Sequence, residues 1–311
     1  MQARRVGSRR DYVAKTAAIL TAGLMLTRAS PVGGQEGPDG IRTAINIAVA
    51  RVKPALVRIH VVAVENRQGR ELKREATGSG TIITPQGHIV TNHHVVGKAS
   101  RIVCTLSTKE EIEADLVGTD PLSDVAVIKL RGPSGARFQT ASFGDSSRLT
   151  VGERVLAMGS PFALSQSVTL GIVSNTEMIM PRLFWPFDRL TLEGEDVGSL
   201  VRWIGHDAPI YGGNSGGPLV NLEGEIVGIN EISMGLSGAI PSNLAKEVAE
   251  GLIRDRRVVR SWTGLEVQPL LKESSPKRGA LVSGTIEGSL AQKAGFRSGD
   301  ILVRFAGQDV T

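Results

Sequence analysis

Short apolar runs separated by glycine and polar turns dominate the chain after its first forty residues. Each run is rich in valine, isoleucine and threonine and is too short for an average helix. The runs are 55–64, 80–84, 88–91, 102–106, 125–130, 151–158, 168–174, 218–220 and 225–232. So many strands within about 180 residues are typical of antiparallel barrels or of a sandwich. We therefore expect an all-β-dominated fold with few helices.

Two segments depart from this strand pattern. The spacing of apolar residues predicts a short helix over 41–52, which Pro54 ends. A second amphipathic helix is expected over 242–254, where Ser242 or Asn243 can cap the first turn. We expect this second helix to close the first domain.

The first 29 residues have the pattern of an export signal. Basic residues precede an apolar run, 16–26, that is too short to cross a bilayer. Residues 8–13, Ser-Arg-Arg-Asp-Tyr-Val, resemble the twin-arginine export motif, with an ordinary secretory signal or an uncleaved anchor as alternatives. Residues 30–40 are expected to form a flexible spacer. We therefore expect an exported, periplasmic or otherwise extracytoplasmic protein with no membrane span in the mature chain.

Charge and cysteine content exclude several classes of partner. The chain of 311 residues has 36 basic and 31 acidic side chains, and residues 1–29 hold six of the basic groups and one acidic group. The remainder is neutral overall, so nucleic acid is not an expected partner. One cysteine allows no internal disulfide, and the five histidines lack metal-ligand spacing. We expect no metal and no cofactor.

The hexapeptide 213–218, Gly-Asn-Ser-Gly-Gly-Pro, is the clearest chemical motif. Its glycines allow a sharp turn whose successive N–H groups can converge where an oxyanion would develop. A serine nucleophile also needs a base, and that base needs a group to orient it. Residues 91–96 supply two histidines and residues 120–126 supply two aspartates, so the chain order is His, Asp, Ser.

Six collinear motifs resemble the HtrA/Deg family of serine proteases. They are 78–83 (Gly-Ser-Gly-Thr-Ile-Ile), 91–95 (Thr-Asn-His-His-Val), 123–126 (Ser-Asp-Val-Ala), 159–162 (Gly-Ser-Pro-Phe), 171–174 (Gly-Ile-Val-Ser) and 213–218, and 239–243 continues the match. The resemblance covers residues 41–311. It implies a chymotrypsin-like double β-barrel protease domain over 41–255, a linker over 256–261 and a partial PDZ domain over 262–311.

The resemblance also assigns roles to individual residues. It implies that Ser215 is the nucleophile, that His94 is the general base and then the general acid, and that Asp124 holds the imidazole tautomer. His93 is then a bystander. The backbone N–H groups of Gly213 and Ser215 are implied to form the oxyanion hole.

Two stretches are implied to bind substrate. The residues assigned to this role are Pro209, Ile210, Tyr211, Asn214, Glu231, Ile232 and Ser233. The stretch 209–212 contains no acidic residue, which favours cleavage after small or medium aliphatic residues over cleavage after lysine or arginine. Residues 231–233 are expected to form the strand edge to which an extended substrate adds.

Residues 262–311 resemble the beginning of a PDZ domain, although the second helix and last strands of that family have no counterpart here. Thr263, Gly264 and Leu265 match the loop that binds a peptide's terminal carboxylate. The alternative is a tail that packs on the protease domain. A module of this size is expected to be loosely held together.

These observations predict an exported serine endopeptidase that cleaves misfolded or unfolded envelope proteins through an acyl-enzyme. Two alternatives share the same residues: a chaperone or scaffold that binds unfolded chains with little proteolysis, and a regulatory protease with one membrane-linked target. The expected partners are unfolded polypeptides and, at the PDZ piece, peptide C-termini. The family resemblance adds a homotrimer as the oligomer to consider.

Overall fold

The computed structural model describes residues 38–67, 70–160, 166–179, 191–192, 195–233, 235–269 and 279–310. The expected export signal, with its arginine pair, lies outside these residues, as does most of the expected spacer. The last three spacer residues are helical, because helix α1 (Pro38–Val52) begins earlier than the apolar spacing predicts. Proline suits the first turn of a helix, where its missing N–H would have no acceptor within the helix.

Six strands form the first barrel. They are β1 (Leu56–Arg67), β2 (Arg70–Ile82), β3 (His88–Asn92), β4 (Arg101–Thr105), β5 (Glu111–Asp120) and β6 (Val125–Leu130). All neighbours are antiparallel, and the barrel closes in the order β1-β2-β3-β6-β5-β4. A 3₁₀ turn (Lys53–Ala55) leads from α1 into β1, and the short helix α2 (His93–Val96) follows β3 directly.

The second barrel has the same number of strands. Its strands are β7 (Arg154–Gly159), β8 (Ser167–Met178), β11 (Trp203–His206), β12 (Pro218–Val220), β13 (Ile226–Ser233) and β14 (Ser237–Pro241), and a small hairpin of β9 (Thr191–Leu192) and β10 (Glu195–Asp196) lies between β8 and β11. The barrel closes in the order β11-β14-β13-β12-β7-β8. Two closed six-stranded barrels confirm the expected double-barrel architecture.

Helix α3 (Ser242–Asp255) packs against the first barrel and shares its core. Its buried face includes Ala245, Val248 and Leu252, at the spacing that the sequence predicts. The predicted cap is wrong, since neither Ser242 nor Asn243 caps its own helix. Instead the Ser242 hydroxyl donates to the carbonyl of Gly144 (2.8 Å), and the Asn243 N–H donates to the Ser146 hydroxyl (3.2 Å). A neighbouring loop therefore supplies the acceptor that a local cap would otherwise provide.

The C-terminal segment forms two small sheets. Its elements are β15 (Leu265–Pro269), β16 (Ala280–Thr285), α4 (Leu290–Lys293), β17 (Ile301–Leu302), β18 (Arg304–Phe305) and β19 (Gln308–Asp309). Strands β15, β16 and β17 form one sheet, and β18 pairs with β19. Among its described residues, the buried apolar side chains are Val282 and Ala291, whereas Trp262 and Leu290 are largely exposed. The apolar core formed by the described residues of this segment is therefore small.

Candidate active site

His94 and Asp124 form a directly hydrogen-bonded pair in the first barrel. His94 stands in the first turn of α2, and its Nδ1 lies 2.6 Å from Asp124 Oδ2. Its backbone N–H donates to the other carboxylate oxygen, Oδ1, at 2.9 Å. Because a carboxylate can only accept, Nδ1 carries the proton of the neutral imidazole and Nε2 is left as the acceptor. This is the tautomer that a general base requires.

A strained backbone turn presents Asp124 to the histidine. The residue follows a 3₁₀ turn (Pro121–Ser123) and has a left-handed backbone with φ of 51°. Aspartate and asparagine tolerate this region better than most residues. The Asp124 carbonyl accepts from His93 N–H at 3.0 Å and from Asn92 Nδ2 at 3.1 Å. These bonds tie the Asp124 backbone to the end of β3.

Ser215 reaches the same region from the second barrel. Its carbonyl accepts from the Ser79 N–H at 2.9 Å. A Cβ placed on Gly78 would lie 2.5 Å from Val95 Cγ1 and 3.3 Å from the Ser215 carbonyl oxygen, so the serine lies beside the helix that carries His94. Within the described residues, the Ser215 hydroxyl donates to the Glu231 carbonyl (3.3 Å) and not to His94. The hydroxyl must give up this bond to donate to His94.

The loop before Ser215, where the oxyanion hole is expected, turns sharply at Gly213. Gly213 has φ of 102°, a region that glycine occupies without strain. Turn bonds join Asn214 N–H to Tyr211 O (2.9 Å) and Gly217 N–H to Asn214 O (2.9 Å). In the described chain the N–H groups of Gly213 and Ser215 donate to no acceptor, so both can meet a substrate oxygen.

Ser79 links this loop to the first barrel. The fully buried hydroxyl donates to the Gly213 carbonyl at 2.6 Å and accepts from the Ser160 N–H at 2.9 Å. The Ser79 carbonyl accepts from the Thr91 hydroxyl at 2.7 Å. The Ser79 hydroxyl thus fixes the peptide group between Gly213 and Asn214, next to the Gly213 N–H. Nothing in the local sequence around Ser79 indicates this role, because its partners lie far along the chain.

Ser79→Ala is expected to destabilise the protein and to slow any reaction at Ser215. The change leaves a buried carbonyl at Gly213 and a buried N–H at Ser160 unpaired, which together lower the free energy of unfolding by about 3 kcal/mol. Chemical denaturation measures this loss. Ser147→Ala, which removes a hydroxyl bonded to Asp145 on the surface, is the control and should cost less than about 1 kcal/mol. Equal losses in the two variants would contradict the linking role of Ser79.

The residues expected to bind substrate differ in exposure. Pro209, Tyr211 and Ser233 are exposed and Ile232 is half-buried. The other three expected residues have buried side chains: Ile210 belongs to the core of the second barrel, and Asn214 and Glu231 are almost fully enclosed. Contacts of those three with a substrate would therefore have to use backbone atoms.

Glu231 is buried, whereas the sequence predicts it at an exposed strand edge. Its side chain leaves the strand edge and turns inward, where Trp203 Nε1 donates to its Oε2. Burial, and next the negative charge of Asp124, raise the pKa of the Glu231 carboxyl well above its ordinary value. The signal that could have indicated this burial is the position of Glu231 in the chain. It is the sixth residue of β13, directly after an apolar run, and the first six residues of that strand are all buried.

Other reactive groups of the described residues lie outside this arrangement. Burial raises the pKa of the Cys104 thiol to about 12, so it stays a thiol at neutral pH. Burial lowers the pKa of His206 to about 4, which keeps this ring neutral within the second barrel. In the described ranges no group of three or more His, Cys, Asp or Glu side chains could hold a metal ion, and no helix there is long and apolar enough to cross a membrane.

The segment after α3 is bound to the base of the Asp124 turn. Arg260 approaches Asp120 with both terminal nitrogens, and the Nη2 to Oδ2 distance is 2.7 Å. Asp120 also caps the 3₁₀ turn by accepting from the Ser123 N–H at 3.2 Å. The expected linker over 256–261 is therefore held against the barrels, since Val258 of the same segment also packs against their core.

Comparison with known proteins agrees with this geometry. Residues 78–229 match the trypsin-like peptidase domain, a class of serine protease built on two β-barrels. The chain is 40% identical over 258 residues to a probable periplasmic serine endoprotease, DegP-like, of Ectopseudomonas mendocina; the match covers 79% of this chain and 51% of the relative. The chain thus spans about half the length of the curated relatives that it matches.

Similarity to solved structures identifies the family. The HtrA-type protease AlgW with a tripeptide has a TM-score of 0.68 and 31% identity, over 85% of this chain and 84% of that one. The serine endoprotease from Yersinia pestis has a TM-score of 0.60 and 32% identity, over 85% and 83%. The chain belongs to the HtrA family of serine proteases.

Proposed function

We propose that this protein is an exported serine endopeptidase that cleaves unfolded or misfolded polypeptides through an acyl-enzyme. The observation that carries the proposal is the His94–Asp124 pair, with Nδ1 2.6 Å from Oδ2, beside a serine held against the same helix. A nucleophile, a base and a group orienting that base are the three parts that acyl transfer needs.

The first half of the reaction forms the acyl-enzyme. The Ser215 hydroxyl rotates toward His94, gives its proton to Nε2 and attacks the substrate carbonyl carbon. The developing oxyanion accepts hydrogen bonds from the N–H groups of Gly213 and Ser215, and Asp124 stabilises the imidazolium. His94 then gives its proton to the leaving amine, the C–N bond breaks, and an ester to Ser215 remains.

The second half returns the free enzyme. A water molecule gives a proton to His94 Nε2 and attacks the ester carbonyl. The oxyanion again accepts hydrogen bonds from the two N–H groups until the C–O bond to Ser215 breaks. The serine oxygen takes back the proton from His94, and the new carboxyl terminus leaves.

The substrate is an extended chain with a small or medium aliphatic residue at the cleaved bond. Support comes from the stretch 209–212, which has no acidic side chain, and from the strand end 231–233. Strand β12 pairs with β13 only at residues 226–229, so in the described chain residues 231–233 have no strand partner on that side. Such a free edge can accept a peptide by backbone hydrogen bonds.

The leader pattern, the relatives and the C-terminal segment support a location and further partners. The leader pattern of residues 1–29 and the periplasmic relatives support export, for which residues 8–13 suggest the twin-arginine route. We assign residues 262–311 to a partial PDZ domain, in which Thr263, Gly264 and Leu265 receive peptide C-termini. Two carbonyls of this loop, of Thr263 and Gly264, are held by N–H groups of Ala291 and Ile286 (both 2.9 Å). A homotrimer is the assembly that the family suggests.

The test is cleavage of a reduced, unfolded protein by the purified chain, beside its Ser215→Ala variant. Mass spectrometry of the products is expected to find new C-termini at small or aliphatic residues, all absent with the variant. Cleavage that survives in Ser215→Ala would overturn the proposal. If neither protein cleaves but both keep the unfolded substrate soluble, the chaperone alternative holds. Cleavage restricted to one membrane-linked protein would indicate the regulatory alternative.

A further inference from the structure

A second carboxyl group is buried directly behind the catalytic pair. Glu231 lies on β13, and Trp203 on β11 donates its indole N–H to Glu231 Oε2. The other oxygen, Oε1, is fully buried and receives no donor from the described residues. The turn at Gly198 closes the pocket, since a Cβ there would lie 3.0 Å from Oε1. No room for a side chain remains on that side.

The Glu231 carboxyl faces Asp124 within hydrogen-bonding range. Asp124 already accepts two hydrogen bonds from His94, one on each oxygen. Two buried carboxylates side by side repel each other strongly, so the pair retains one proton. Because both Asp124 oxygens already serve as acceptors, the proton belongs to Glu231.

We propose that Glu231 is a neutral carboxylic acid that donates a hydrogen bond from Oε1 to Asp124 and thereby positions the Asp124 carboxylate for His94. The donor satisfies the buried oxygen that otherwise has no partner. Glu231 is a positioning residue, because it acts on the reaction through Asp124. The proposal rests on the endopeptidase function given above.

The groups around Glu231 support this protonation state. Burial is the main cause of its raised pKa, the charge of Asp124 adds to it, and the Trp203 hydrogen bond acts in the opposite direction. On the facing elements, His94 of α2 lies beyond Asp124. Asp120, at the start of the same turn, is paired with Arg260. Asp124 is thus the charged group of the described chain that acts on Glu231.

The proton on Glu231 has a consequence for the pH dependence of catalysis. When the pH rises through the raised pKa of Glu231, the pair gains a second negative charge. The two carboxylates then repel each other, and the hydrogen bond that orients Asp124 is lost. Activity is therefore expected to fall on the alkaline side.

Two variants separate the hydrogen bond from the charge. Glu231→Met removes donor and acceptor and is expected to lower kcat by about 10- to 100-fold with little change in KM, since the lost bond goes to a charged group away from the substrate. Glu231→Gln keeps a neutral donor of the same shape and is expected to recover most of that loss. It should also abolish the alkaline fall of kcat/KM. Glu247→Gln, an exposed glutamate on α3, is the control and should leave the profile unchanged.

A spectroscopic readout distinguishes failure of this proposal from failure of the endopeptidase function. Infrared difference spectroscopy between Glu231→Gln and the parent protein at neutral pH is expected to show the carbonyl band of one protonated carboxylic acid. The NMR titration of the His94 ring should show a second, alkaline step that Glu231→Gln lacks. An ionised Glu231 at neutral pH, or identical His94 titrations, would overturn the proposal whether or not the protein cleaves any substrate.

Discussion

Replacement of His94 by alanine is expected to lower kcat/KM for peptide cleavage by about a millionfold, as loss of the histidine base does in another serine protease. The nucleophile then has no acceptor for its proton, and the leaving amine has no donor. The neighbouring His93 offers a matched comparison. Its ring packs against Gly97, and its contact with Asp124 uses the backbone N–H. His93→Gln keeps that N–H and is therefore expected to retain most of the activity.

Steady-state cleavage of one peptide substrate measures both variants, with circular dichroism to confirm that each is folded. Since Ser215 and His94 act as a unit, the double variant Ser215→Ala/His94→Ala should be no slower than either single variant. A large loss in His93→Gln with activity retained in His94→Ala would assign the base to the other histidine.

The sequence predicts those parts of the molecule that depend on local patterns. Strand runs bounded by turns predicted the barrels, and the helical spacing over 242–254 predicted the buried face of α3. Strand β5 (Glu111–Asp120) was missed because its exposed and half-buried positions follow no clean alternation. Strand β11 has only four residues, all buried, and two of them, Gly205 and His206, do not mark it as a strand.

The parts that the sequence could not predict are contacts between distant residues. Ser79 bonds to a carbonyl 134 residues away, and the N–H group of Asn243 in α3 reaches Ser146, 97 residues earlier. Neither partner is visible until the two barrels are assembled. The same holds for Glu231, which reads as a strand-edge residue and becomes a buried acid only because β13 faces the Asp124 turn. Local secondary-structure propensity carries no information about such long-range pairs.

The second large effect is expected from loss of the hydrogen bond between His94 and Asp124. Asp124→Asn is expected to lower kcat by about ten-thousandfold. An amide can present its N–H₂ to His94 Nδ1, which places the imidazole proton on Nε2, the atom that must accept from Ser215. The variant should still fold, because asparagine tolerates the left-handed backbone at this position, with φ of 51°. Alanine would add backbone strain to the catalytic defect, so asparagine is the cleaner substitution.

Steady-state kinetics at neutral pH, with Asp115→Asn as the control, measures this effect. Asp115 is an exposed carboxylate bonded to Arg131, remote from the triad in its contacts, so its loss should leave kcat unchanged. The two variants lose the same charge, so a difference between them reports what Asp124 does for His94, namely setting its tautomer and stabilising the imidazolium. A comparable kcat in both would mean that His94 keeps its proton on Nδ1 without Asp124. Orientation of the base would then have to come from another group.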